Sequence, residues 1–118
     1  MKPEYRLQTG DICMVKCDPS VGNEFTGIRP AVVVQSAKTI RKEGGVVTVA
    51  IMTSYKGKKW NHDLLVQKSG HNGLWHDSLV KVEYLYSFDR SRFLRKIGGM
   101  EDEWIEKIKE YLKAHFDL

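Results

Sequence analysis

Residues Ala31 to Gln35 form a near-continuous apolar run directly after Arg29-Pro30. A run of that length without alternation reads as a strand buried on both faces, so the chain must supply cover on two sides. The other elements are short. Asp11 to Cys17 reads as the first strand. Asp18 to Ile28 holds Pro, Gly and Asn and reads as a mobile loop. The β-branched stretch Val46 to Met52 is a third strand. Asp63 to Val66 and Leu79 to Phe88 complete a set of five. Polar, glycine-containing segments at Ser36 to Gly45, Tyr55 to Trp60 and Lys68 to Gly73 separate them. Glu101 to His115 is a helix, because Trp104, Ile108, Tyr111, Leu112 and His115 recur at three and four as one apolar stripe. Glu101, Asp102 and Glu103 stand at its positive end, where carboxylates are favoured. Five short strands and a closing helix predict a mainly β fold with α, a small curved β-barrel with the C-terminal helix packed on it.

The chain has 118 residues, which makes 1–118 a single domain with a modest core. Its 19 Lys and Arg against 15 Asp and Glu suit a polyanionic partner without requiring one. Cys13 and Cys17 are the only cysteines. Four residues apart on a strand they share a face, and their Cα atoms lie about 13 Å apart, too far for a disulfide. They read as buried thiols. No zinc spacing, signal peptide or membrane-spanning apolar run is visible, and the expected compartment is the cytoplasm.

The chemistry concentrates around the first loop. It carries Glu24 and leads to Arg29, which Pro30 holds extended. A guanidinium at a strand mouth beside a Gly-rich loop can grip a phosphate by two bonds. The alternative is a structural ion pair with Asp11 or Glu24. Thr53-Ser54 end the third strand and offer hydroxyls that donate to a phosphate oxygen, although Ser and Thr also favour strand ends for turn chemistry. Lys56, Lys58 and Lys59 are interleaved with Tyr55 and Trp60. Aromatics with cations hold single-stranded RNA by stacking and phosphate pairing. Trp75 is a second candidate platform or a dimer contact. Tyr84 and Tyr86 are either part of such a surface or core aromatics. His71 and His76 flank a turn and read as exposed. The histidines lack metal-ligand spacing; no metal and no cofactor are expected.

Three ordered blocks resemble the MazF/PemK family of toxin ribonucleases. The first comprises Gly10-Asp11, Asp18-Pro19, Gly22, Glu24, Gly27, Arg29-Pro30 and Gln35. The second is Ala50-Ile51-Met52-Thr53-Ser54. The third runs from Val82 to Phe93, and the acidic helix start at Met100 to Glu103 follows it. Tyr84 and Tyr86 stand where the family has Gln and Arg, and Glu24-Phe25 stands where it has Glu-Gln. These differences bear on RNA sequence preference and leave Arg29 and Thr53 in place.

The resemblance implies a barrel of the MazF/CcdB type, usually a homodimer. It implies a sequence-selective, metal-independent endoribonuclease that cuts single-stranded RNA by attack of the 2′-oxygen and is neutralised by a cognate antitoxin. Arg29 and Thr53 would be catalytic, with Glu24 or Glu83 as the base. Glu83 could instead form a structural pair with a lysine such as Lys81. Ser54, Lys56, Lys58, Lys59, Trp60, Lys81 and His62 would contact RNA. Lys81 takes the place of a family arginine, and His62 matches a family histidine that orients the turn. Two rivals share the barrel: a gyrase-binding toxin of the CcdB kind, and a degenerate homologue that binds RNA without cutting it.

Overall fold

The apolar run after Pro30 lies inside a sheet, as its lack of alternation requires. The structure, a computed structural model, describes residues 6–18 and 26–118. Its strands are β1 (Asp11–Lys16), β2 (Ile28–Val33), β3 (Val46–Ser54), β4 (Leu64–Val66), β5 (Ser78–Asp89) and β6 (Phe93–Gly99). A 3-10 turn at Arg90–Arg92 joins the last two, and helix α1 spans Asp102–His115. The strands form one six-stranded sheet in the order β4-β5-β3-β2-β1-β6. All pairings are antiparallel. β2 is therefore flanked on both sides.

Alternate residues of one strand enter opposite cores, as the two-residue period of a strand dictates. Val47, Val49 and Ile51 of β3 join Ala31, Val33, Cys13 and Cys17 in one cluster. Ala50 and Met52 join Val32, Val80 and Val82 in the other. Helix α1 covers that second cluster with Ile108, Trp104, Ile105, Tyr111 and Leu112. Leu7, Ile40 and Phe93 help to close the first. The helix stripe is as expected except at His115, which is exposed. The two thiols share a face and are both buried.

The barrel expectation needs one refinement: the sheet curls but its edges, β4 and β6, do not pair, so it stays open. The expected five strands are six. β6 gave no strand signal because Leu94, Arg95 and Lys96 all lie exposed along an edge, and two register shifts against β1 break its alternation. Its charge has a local use, since Lys96 Nζ pairs with buried Asp11 at 3.1 Å. Among the described residues, no helix is long and apolar enough to cross a membrane.

Candidate active site

Pro30 shapes the place where the candidate residues meet. It has no N–H and cannot donate to a ladder. The β2–β3 ladder runs from Val33–Val49 through Ala31–Ile51 and stops beside it. On its other side β2 stays paired, with Arg29 opposite Val15. The two central strands thus part at one end, and the next same-face residues beyond Ala31 and Ile51 are Arg29 and Thr53. They stand where the ladder ends, at the mouth between the two strands. Both are half-buried. Arg29 Nε donates to Thr26 O at 3.0 Å, which turns the guanidinium back along the loop's end. The Thr53 hydroxyl makes no hydrogen bond among the described residues.

Asp11 is not the partner of Arg29. Its carboxylate is taken by Lys96 and by the Gln8 N–H at 3.0 Å. Glu24, the other proposed partner and a proposed base, lies outside the described residues. Arg92 is a second cation at the loop base that the sequence reading missed. Its Nη1 donates to Asp18 O at 2.8 Å and Lys16 O at 3.2 Å, and its guanidinium lies 5.8 Å from the Phe88 ring. The Cys17 thiol sits between these charges. Burial pushes its pKa up, and nearby Asp18 adds to this, while Arg29 and Arg92 pull it down without prevailing. The only advance sign of Arg92 was its place in the third family block.

The remaining candidates fall on both sides of the sheet. Thr53 pairs with Leu79, and Ser54, exposed, pairs with Ser78. Between the Ala50–Leu85 and Met52–Val80 pairs the register slips, so Lys81 to Tyr84 face Ile51 alone. Such bulges re-aim side chains. Glu83 becomes exposed and comes near Tyr111 of α1, whose phenol is raised by burial and by the Glu83 charge. His62 also belongs here, its ring centroid 5.2 Å from that of Tyr111. Glu83 and His62 therefore gather beside the helix, away from the Arg29–Thr53 row. Tyr84 points outward, whereas Tyr86 stacks on Phe88 at 5.4 Å and packs on the core.

Lys81 requires a correction. It pairs with Asp63, not Glu83, at 2.8 Å, and it is buried. The reason is alternation: Val80 and Val82 enter the helix-side cluster, so Lys81 between them is turned to the other face, where Asp63 waits just before β4. Lys56, Lys58, Lys59 and Trp60 are all exposed. Lys58 Nζ lies 4.5 Å from the Trp60 ring centroid. Trp75 is exposed with Arg95 at 5.6 Å, and His71 and His76 are exposed as expected. Among the described residues no group of His, Cys, Asp or Glu is arranged to hold a metal ion.

Known proteins share this fold. Residues 8–116 match the family described as PemK-like, MazF-like toxin of type II toxin-antitoxin system. Endoribonuclease EndoA of Bacillus subtilis is 26% identical over 112 residues, covering 95% of this chain and 96% of that protein. The crystal structure of MazF from Deinococcus radiodurans superposes with a TM-score of 0.78 at 21% identity, covering 98% of this chain and all of that one. A mycobacterial endoribonuclease in complex with its cognate antitoxin gives 0.72 at 14% identity, covering 95% and 96% of the two chains. The three sequence blocks, the open curled sheet and a family match across nearly the whole length agree: this chain belongs to the PemK-like, MazF-like toxin family of type II toxin–antitoxin systems.

Proposed function

We propose that this chain is an endoribonuclease toxin that cuts single-stranded RNA, chiefly mRNA, and is silenced by a cognate antitoxin. The observation that carries the reading is that Arg29 and Thr53 are the first same-face residues beyond the end of the β2–β3 ladder, beside Pro30. Both donors suit a phosphate, and both belong to the blocks that define the family resemblance. The curated relative is named an endoribonuclease, and a solved neighbour is described as bound to its cognate antitoxin.

The reaction needs no outside nucleophile. A carboxylate takes the proton of a ribose 2′-hydroxyl, and the 2′-oxygen attacks the adjacent phosphorus. The P–O5′ bond breaks, leaving a 2′,3′-cyclic phosphate and, after proton uptake by the departing oxygen, a 5′-hydroxyl. Arg29 meets the negative charge that builds on the phosphorane, where an aimed donor acts most strongly. Thr53 donates to a non-bridging oxygen. With Glu83 beside Tyr111, we assign the base to Glu24, which precedes Arg29 in the first family block. Ser54 and the Lys56–Trp60 turn follow Thr53 in the chain and hold the RNA strand. The protein acts without a metal, as a homodimer, in the cytoplasm where mRNA is found.

Incubating purified protein with a long mixed-sequence RNA and EDTA tests this. The expected result is discrete cuts carrying cyclic phosphate and 5′-hydroxyl ends. RNA bound but left whole would favour the degenerate homologue, and cleavage only after Mg²⁺ is restored would refute the metal-free route.

A further inference from the structure

We propose that Lys81 and Asp63 are positioning residues: their buried ion pair fixes the Lys56–Trp60 turn so that the Trp60 indole stands as a stacking platform for a base of bound RNA. The proposal deepens the functional reading above and rests on it.

Three bonds tie the turn to Asp63, and a fourth ties Asp63 to Lys81 of β5. Asp63 Oδ2 accepts from Lys81 Nζ at 2.8 Å and from the Trp60 N–H at 3.0 Å. Its backbone N–H donates to Trp60 O at 3.1 Å, and its carbonyl accepts from Lys59 Nζ at 2.9 Å. The Lys81 and Asp63 side chains are only 10% and 2% exposed. Taking two charges out of water is costly, and an apolar pair of similar volume often packs as stably. The best-attested use of a buried pair is to fix geometry. Here the geometry it fixes is that of the turn.

What the turn presents is suited to a nucleobase. Trp60 stays 59% exposed although its backbone is tied down. Lys58 places a cation over the ring, where the ring quadrupole attracts it. A tethered indole with cations around it is how proteins stack a base of single-stranded RNA while pairing its phosphates. The pair also connects to the catalytic row. Leu79, two residues before Lys81 and on the same face of β5, is the cross-strand partner of Thr53.

A lysine that binds phosphate and a lysine that acts through Asp63 differ in measurable ways. Binding of a short non-cleavable single-stranded RNA is followed across a salt series for the wild type, Lys81→Met, Lys81→Arg, Asp63→Asn and Asp63→Asn/Lys81→Met. Hydrogen exchange at the Trp60 amide is read in the same proteins. Lys81→Met is expected to weaken RNA binding about tenfold, the order of a misplaced base stack. The salt slope should stay unchanged, Trp60 exchange should speed up, and Lys81→Arg should restore both. The double variant should be no worse than the worse single one, because one device is removed once. It also relieves the unpaired carboxylate if Lys81→Met alone folds poorly. A slope that falls by about 0.7 in Lys81→Met would mark a direct phosphate contact and overturn the proposal. So would additive losses, or unchanged Trp60 exchange. If the wild type itself binds no RNA, the functional reading fails first, and the exchange data show separately whether the pair holds the turn.

Discussion

The mouth at Arg29 and Thr53 and the clasp at Asn72 are both polar, yet they are built in opposite ways. In the clasp the side-chain polar atoms of Asn72, Ser69 and Glu101 are all spent. Asn72 is fully buried. Its Oδ1 accepts from Ser69 N at 3.0 Å and Leu74 N at 3.1 Å, and its Nδ2 donates to Gln67 O at 2.9 Å and Glu101 Oε1 at 3.2 Å. Ser69 Oγ donates to Glu101 Oε2 at 2.7 Å. The backbone closes in as tightly. Gly73 has φ +71°, and a Cβ on it would strike Ile97 O. At the mouth the Thr53 hydroxyl and the Ser54 hydroxyl have no partner among the described residues, and the ladder itself ends. Satisfied polar groups rigidify a fold. Donors left with capacity at a strand end are available to a ligand.

The sharpest way to break this comparison is to mutate both regions. Arg29→Ala should lower the cleavage rate by about 10²–10³, the usual cost of one donor aimed at developing charge. Its unfolding midpoint should barely move, since a part-exposed cation contributes about 0–1 kcal/mol. Thr53→Ala should behave alike. Asn72→Ala should do the reverse. It orphans the Ser69 and Leu74 amides and strips donors from Glu101, for a loss of roughly 2–3 kcal/mol in denaturant unfolding. Cleavage per folded molecule should be retained. Arg29→Ala unfolding in step with its loss of activity would mean that Arg29 belongs to the structural class.

A smaller effect concerns the turn between the two regions. Trp60→Ala should weaken RNA binding by about 1–3 kcal/mol, the range for one base stacked on an aromatic ring. Unfolding should be unaffected, because Trp60 is exposed. Binding unchanged in Trp60→Ala would leave the lysines alone as the RNA contacts.

The two regions also differed in how far the sequence disclosed them. The mouth was legible. Arg29-Pro30 before an apolar run, and Thr53-Ser54 after a β-branched one, are local patterns, and the missing N–H of Pro30 acts on its immediate neighbours. The clasp was invisible, because Asn72 and Glu101 meet only through the fold. Glu101 was read as a helix-dipole carboxylate. It is the N-cap residue of α1, but its side chain makes no cap bond and is given to Ser69 and Asn72. The partner of Lys81 was hidden for the same reason: Asp63 lies just before the neighbouring strand β4, and strand pairing is not written in spacing. β6 escaped because an edge strand with exposed charges looks like a loop. Charges at the turn could be read as a surface, but which of them was already spent could not.

Glu101 supplies the finest test, because it is the clasp group that accepts the side-chain bonds of Ser69 and Asn72 and its charge can be titrated. Burial pushes its pKa up, but bonds from Ser69, its own backbone N–H and Asn72, with the His71 charge, outweigh this and hold it below the ordinary 4.5. A carboxyl depressed in the folded state stabilises the fold above its unfolded value, and that stability is lost as pH falls through the folded value. The wild type should therefore lose stability between about pH 5 and the lower, folded pKa more steeply than Glu101→Gln. The difference should be about 1 kcal/mol or less, because the group is part-exposed and water screens it. Urea midpoints across that range read the effect directly. Cleavage assayed near neutral pH should not respond to Glu101→Gln, since no charge at the mouth depends on it. Equal acid sensitivity in the two proteins would show that the carboxylate holds α1 to the clasp by shape alone. A shifted pH–rate profile in Glu101→Gln would show that the clasp and the mouth are coupled after all.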